Sequence, residues 1–260
     1  MKKALGSIYI IIVMAFLYLP ILALVVLSFN EAKSMAVFTR FSLKWYEELF
    51  RSKLILGAVV NTFTIGILAA VIATVIGTLA VVALDTMSKR TQNVILAFNN
   101  IPMLNADIVT GISLMLCFLV LNIPKGYLTI LFAHITFCIP FVVLSVRPRM
   151  NRNTDRLFEA ALDLGASRSY AFRKVVLPEL KPGILTGLLL SFTMSVDDFI
   201  ITYFTRGAGY NTISTIIYSQ VKVGIRPSLF ALSTIIFVIA FVALIILNRQ
   251  SDKHGVEIEL

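Results

Sequence analysis

Three carboxylates stand where a chain built for lipid has least use for them. Asp107, Asp197 and Asp198 each fall inside a long apolar run. An Asp at the centre of a spanning helix costs roughly 2.5 to 3.5 kcal/mol on insertion scales, so such side chains face a bundle interior, a water-filled cavity or a partner subunit. The chemistry open to them is electrostatic: carboxylates along a path hold cations and repel anions. Phe199, Tyr203 and Tyr218 supply ring faces for cation–π contact in the same third of the chain. Neighbouring residues on a helix point about 100° apart. Asp197 and Asp198 therefore cannot both face one direction; one lines a path while the other accepts hydrogen bonds from a neighbouring span. A second reading stays open, in which these acids cap broken helices or pair with an Arg of another chain. Pro102 and Asn105 favour it for Asp107, because they mark a distorted helix start that needs hydrogen bonds.

A second constellation lies in a basic, less apolar stretch from Arg147 to Pro182. It carries Glu159-Ala160-Ala161, then Gly165, then Leu177-Pro178. The order predicts a helix up to Leu164, a glycine stop at Gly165, an N-cap at Ser167 and a second helix ending just before Pro178. Ala160 and Ala161 present little bulk, so another protein can approach closely, and Glu159 offers one charge to a partner. The competing reading is a solvated amphipathic loop whose cations face lipid phosphates.

These residues must be positioned by elements suited to a bilayer. Of 260 residues, 58% are hydrophobic and only 14% charged, well below the quarter expected of a soluble domain. A spanning helix needs about 20 apolar residues. Six runs qualify, at roughly 8–29, 59–84, 94–121, 126–146, 183–204 and 229–247. None alternates as a barrel strand does, so the expected fold is an all-α polytopic membrane protein with six transmembrane helices, in one domain over 1–260. The net charge of +9 reads as positive-inside bias rather than nucleic-acid binding. Lys2, Lys3, Lys89, Arg90 and the cations from Arg147 to Lys181 fall on one side, which places both termini in the cytoplasm. The opposite loop, 30–57, carries Phe41 to Phe50, an amphipathic segment suited to lie at the outer interface with Trp45 and Tyr46 among the headgroups. No cleavable leader is expected, since the first apolar run is too long for a signal h-region.

Other residues weigh less. Pro20, Pro102 and Pro140 within runs read as packing kinks or as hinges. Gly66 and Gly77, with nearby alanines, give the second run a face for close packing. Cys117 and Cys138 read as small core hydrophobes. His134 reads as a hydrogen-bonded core histidine ahead of a proton relay, and no metal site is expected.

The loop from Glu159 to Pro178 resembles the EAA motif of ABC-importer permeases. Three further stretches, His134 to Phe141, Ser195 to Phe199 and Ile217 to Gly224, look like the C-type permease subunits of spermidine/putrescine importers. The resemblance covers nearly the whole chain. It implies a type I ABC-importer permease fold with a cytoplasmic coupling helix in 147–182, in the cytoplasmic membrane of a prokaryote. It implies a second homologous permease as the other half of the pore, an ATPase dimer that binds ATP and Mg, and an extracytoplasmic polyamine-binding protein. Glu159, Ala160, Ala161, Gly165, Leu177 and Pro178 become ATPase-coupling residues. Asp107, Asp197, Asp198, Phe199, Tyr203 and Tyr218 become the substrate path. The chain lacks a Gly-rich phosphate loop ending in Gly-Lys-Ser/Thr, so it is expected to be no enzyme and to carry no cofactor of its own. Two alternatives stand beside this reading. One is a permease of the same frame for another cationic amine, ferric iron or thiamine. The other is a proton-coupled secondary transporter using Asp107 and His134.

Overall fold

The computed structural model describes residues 2–33 and 37–254. Among them the chain is helical, with one isolated antiparallel bridge between Asn30 and Phe41 and no strand. In order come α1 (Lys2–Ser28), α2 (Lys44–Arg51), α3 (Lys53–Asp85), α4 (Lys89–Leu104), α5 (Asp107–Val120) and α6 (Tyr127–Val146). They are followed by α7 (Arg152–Asp163), α8 (Arg168–Ala171), α9 (Leu177–Asp197), α10 (Ile200–Thr205), α11 (Ile213–Val223) and α12 (Pro227–His254). The chain divides into two compact units, one of residues 1–56 with 217–260 and the other of residues 57–216.

Among the described residues, four helical stretches are long and apolar enough to cross a membrane: Tyr9–Ser28, Lys53–Asp85, Tyr127–Arg149 and Arg168–Asp197. A fifth is counted if α4 and α5, bent by 108°, form one broken span. The sixth expected run lies in α12, whose described apolar part, Pro227–Val242, falls short of that length. Pro102 stands near the end of α4 rather than at a helix start. Proline lacks the N–H that would bind the carbonyl four residues back. Asn105 and Ala106 then adopt extended ψ values of 152° and 139°, which turns the chain between α4 and α5.

In the first unit α1 packs on α12, and α2 also lies on α12. The end of α1 is closed by the loop that follows it. The Asn30 side-chain amide donates to the Val37 carbonyl at 2.8 Å, while its oxygen accepts from the Thr39 N–H at 2.9 Å. Trp45, expected among headgroups, turns inward instead. It is 2% exposed, and its indole N–H donates to the Asn30 carbonyl at 2.6 Å. A carbonyl just past a helix end needs a donor, and the indole supplies it. Phe41, Leu43 and Phe50 are the large apolar residues of this segment left exposed.

The second unit is built around α6, whose residues Ala133, Phe137, Cys138, Val142 and Val146 form its core with residues of α3, α4, α5, α9 and α10. Helices in lipid have little hydrophobic drive to associate and rely on close packing of small residues. Such a seam runs along α9 at every fourth position: Gly183, Gly187, Ser191 and Ser195, all buried. A Cβ at Gly183 would stand 2.7 Å from the Ser145 carbonyl oxygen, and one at Gly187 would stand 3.1 Å from Val142 Cα. A Cβ at Gly77 of α3 would also meet Val142, its Cγ1 at 2.7 Å.

Candidate functional site

Two places in the second unit gather the candidate residues. The first is the segment between α6 and α9. Asn151 caps α7, its side chain accepting from the N–H groups of Asn153 at 2.9 Å and Thr154 at 3.2 Å. Glu159 and Ala160 lie exposed on α7, with Ala161 half-buried. The helix stops at Gly165, whose φ of +83° suits glycine. The Gly165 N–H donates to the Leu162 carbonyl at 2.9 Å and the Ala166 N–H to the Ala161 carbonyl at 3.0 Å, the paired bonds of a Schellman motif. That stop leaves Leu164 89% exposed at the tip. Ser167 then caps α8, accepting from the Tyr170 N–H at 3.3 Å.

The expected helix end before Pro178 is not found. Arg168–Asp197 is one continuous helical stretch, widened to a π-turn at Phe172–Val176. Within it the Leu177 N–H donates to the Phe172 carbonyl, five residues back. The wider turn comes directly before Pro178, the second residue of α9, whose ring nitrogen has no N–H to donate to the turn before it. Leu177 and Pro178 are exposed, and with Arg173, Lys181 and Ile184 they line a cavity of about 350 Å³.

The second place is the break between α9 and α10. The Asp198 side chain turns back over the first turn of α10, its oxygens accepting from the N–H groups of Ile201 at 3.1 Å and Thr202 at 2.8 Å. It also accepts from the Thr202 hydroxyl at 2.9 Å and lies 3.4 Å from His134 Nε2. His134 is held on both ring nitrogens: Nδ1 lies 2.6 Å from Ser195 Oγ and Nε2 lies 2.9 Å from Thr202 Oγ1. Asp198 is therefore committed to the chain itself. Asp197 is placed differently. It is the last residue of α9, exposed, and accepts no hydrogen bond from the described residues. A helix C-terminus carries partial negative charge, so Asp197 adds a carboxylate where the field is already negative.

Phe199 and Tyr203 follow on the same short segment, their ring centroids 5.4 Å apart. Asp107 is exposed in the first turn of α5, where the helix dipole favours an acid. It lies one turn before Gly111, at which α5 meets α10: a Cβ there would stand 3.1 Å from the Phe204 ring. Tyr218 belongs to the other unit, on α11, with Lys222 Nζ 4.8 Å from its ring centroid. Neither Ser195 nor Thr202 is a candidate site residue by sequence, and Ser195 counts there only as the first residue of a resembling stretch. Thr202 was findable, since Asp198 with Thr202 four residues on is the spacing of a side chain reaching into a helix's first turn. Ser195 becomes visible only once His134 is seen beside it. No group of three His, Cys, Asp or Glu among the described residues is placed to hold a metal ion.

Residues 85–254 match the family described as binding-protein-dependent transport system inner membrane component. The chain belongs to that family. The permease is 38% identical to the spermidine/putrescine transport system permease protein PotC of Haemophilus influenzae, over 95% of this chain and 96% of that protein. It is 40% identical to the PotC of Escherichia coli K12 over 89% of this chain and 88% of that one. It is also 35% identical to the putrescine transport system permease protein PotI of the same organism, over 92% and 89%. Its fold matches the crystal structure of a bacterial ABC transporter that imports the acidic polysaccharide alginate, with a TM-score of 0.73 over 97% of this chain and 95% of that chain, at 18% identity. The permease is thus an all-α inner-membrane transport component with the fold of an ABC-importer permease, a transporter subunit rather than an enzyme. Membership sets aside the secondary-transporter alternative.

Proposed function

We propose that this chain is the permease subunit of an ATP-driven importer of polyamines, spermidine or putrescine, and forms half of its translocation pore. Asp197 carries the cationic part of this reading. An exposed carboxylate at a helix C-terminus, beside an Asp198 already satisfied by His134 and α10, is an unmet demand for positive charge. The relatives narrow the cation, since proteins matched over nearly their full length bear polyamine names. A polyamine is a flexible apolar chain with several ammonium groups. Carboxylates at Asp107 and Asp197, with rings at Phe199 and Tyr203, suit that alternation of charge and apolar length. Asp198 holds the break that presents Asp197.

The coupling half rests on the segment from Glu159 to Pro178. Glu159, Ala160 and Ala161 form the face offered to an ATPase, Gly165 turns the chain behind it, and Leu177 and Pro178 carry motion into α9. The ATPase dimer binds ATP and Mg; this chain holds no cofactor. A second homologous permease completes the pore, and an extracytoplasmic polyamine-binding protein delivers the substrate. The permease is one membrane domain over 1–260 with both termini cytoplasmic. It has six spans, in which α4 with α5 makes the third and α12 the sixth.

The test is uptake of labelled spermidine by liposomes holding this chain with its second permease, ATPase and binding protein. ATP-dependent uptake that excess putrescine blocks, and thiamine or ferric iron does not, is the expected result. ATPase activity without polyamine uptake would reject the polyamine and leave the permease.

A further inference from the structure

The short helix α10 carries opposite charges at its two ends. Asp198 caps its first turn, and Arg206 follows its last residue, where the helix dipole favours a cation. The Arg206 guanidinium carbon lies 5.6 Å from the centroid of the Tyr203 ring, and the group donates to the Asn211 side-chain oxygen. No carboxylate among the described residues forms an ion pair with it. Arg206, Tyr203 and Asn211 line an open cavity of about 510 Å³, together with Met115, Lys125 and Phe204. Lys125 directly precedes the Gly126 cap of α6, so the cavity lies at the end of α6 opposite Arg147, where the chain leaves for α7. The turn that carries Arg206 is pressed on that end: a Cβ at Gly207 would overlap the Lys125 carbonyl.

We infer that Arg206 is a tethered place-holder cation, which occupies Tyr203 until a substrate ammonium displaces it. This rests on the polyamine reading above. A guanidinium and an alkylammonium compete for the same ring face, because both are drawn by the ring quadrupole. Lys125 adds a second like charge to the cavity. A stray cation at this end therefore meets repulsion and an occupied ring, and productive binding requires Arg206 to leave Tyr203. Asn211 sets how firmly it is held. Arg206 is in this sense a specificity residue acting through Tyr203.

The experiment measures binding of labelled spermidine to the full complex of both permeases and ATPase in nanodiscs, without binding protein. Arg206→Gln is expected to bind spermidine roughly 3- to 10-fold more tightly, the size of one cation–π contact. Arg206→Lys should return the wild-type affinity by restoring the charge, and Tyr203→Leu in the Arg206→Gln background should remove the gain. Equal or weaker binding by Arg206→Gln, or a gain that survives Tyr203→Leu, overturns the inference. If Arg206→Gln does not assemble, Asn211→Ala, which frees the guanidinium from its anchor, should shift affinity in the same direction. No shift there overturns the inference as well. A wild-type complex that neither binds nor imports spermidine overturns the polyamine reading and this one with it. Normal wild-type import with an insensitive Arg206→Gln overturns this one alone.

Discussion

The Asp198 carboxylate lies 3.4 Å from His134 Nε2, and the two side chains are only 6% and 2% exposed. His134 belongs to α6, while Asp198 stands in the break between α9 and α10. The contact ties the most buried helix of its unit to the point where the chain changes direction. Ser195 and Thr202 bond the two ring nitrogens of the same histidine from either side of the break. Four side chains thus hold one geometry, and the outward placement of Asp197 depends on it.

His134→Ala should loosen this break. It leaves the Ser195 and Thr202 hydroxyls without their imidazole partner and Asp198 with one contact fewer. An unsatisfied buried polar group costs about 1–3 kcal/mol. The thermal unfolding midpoint of the purified complex is expected to fall, and an unchanged midpoint would count against the role given to His134.

Asp197→Asn and Asp198→Asn should separate into different defects. At Asp198 the substitution turns one acceptor into a donor facing backbone N–H groups at Ile201 and Thr202, so assembly should drop. At Asp197 no bond within the described residues is lost. The complex should assemble normally while its KM for spermidine rises about 10-fold, the order of one charge-assisted contact. Normal assembly with altered KM at Asp198, and the reverse at Asp197, would invert the assignment.

Gly165→Pro should uncouple the machine. The φ of +83° at Gly165 lies far from the value near −65° that a proline ring imposes. The stop behind Leu164 must then re-form, and the exposed Glu159 face is displaced. Vesicles carrying this variant are expected to hydrolyse ATP at an unregulated rate while spermidine uptake is lost. Uptake at the wild-type rate would reject the coupling role of this turn.

Gly187→Leu should prevent folding where Gly57→Ala does not. A Cβ at Gly187 already stands 3.1 Å from Val142 Cα, and a bulky group must push α6 and α9 apart. Overpacking of this kind costs typically about 1–3 kcal/mol or more. Gly57 has nothing within 4 Å of an added Cβ, so alanine there should gain about 1 kcal/mol of helix propensity. Yields of monodisperse protein would check both, and equal yields would show that the seam is slack.

The local features were legible along the chain. Run length and composition announced the helices, because the bilayer sets both. Gly165 and Ser167 announced the turn behind Glu159, because a Schellman stop and an N-cap are written in residues only a few positions apart. Three outcomes required the fold. The helix passes through Pro178 because a π-turn at Phe172–Val176 admits it, and no short-range signal distinguishes that from a stop. Trp45 faces inward because the Asn30 carbonyl, 15 residues earlier, needs its indole N–H. Asp197 and Asp198 are adjacent and chemically identical, and periodicity could say only that they diverge. His134, more than 60 residues away in the chain, takes Asp198 and leaves Asp197 exposed. Hydrogen bonds between near neighbours follow from residue order, whereas the choice between two equal carboxylates is made by whichever distant side chain the packing brings alongside.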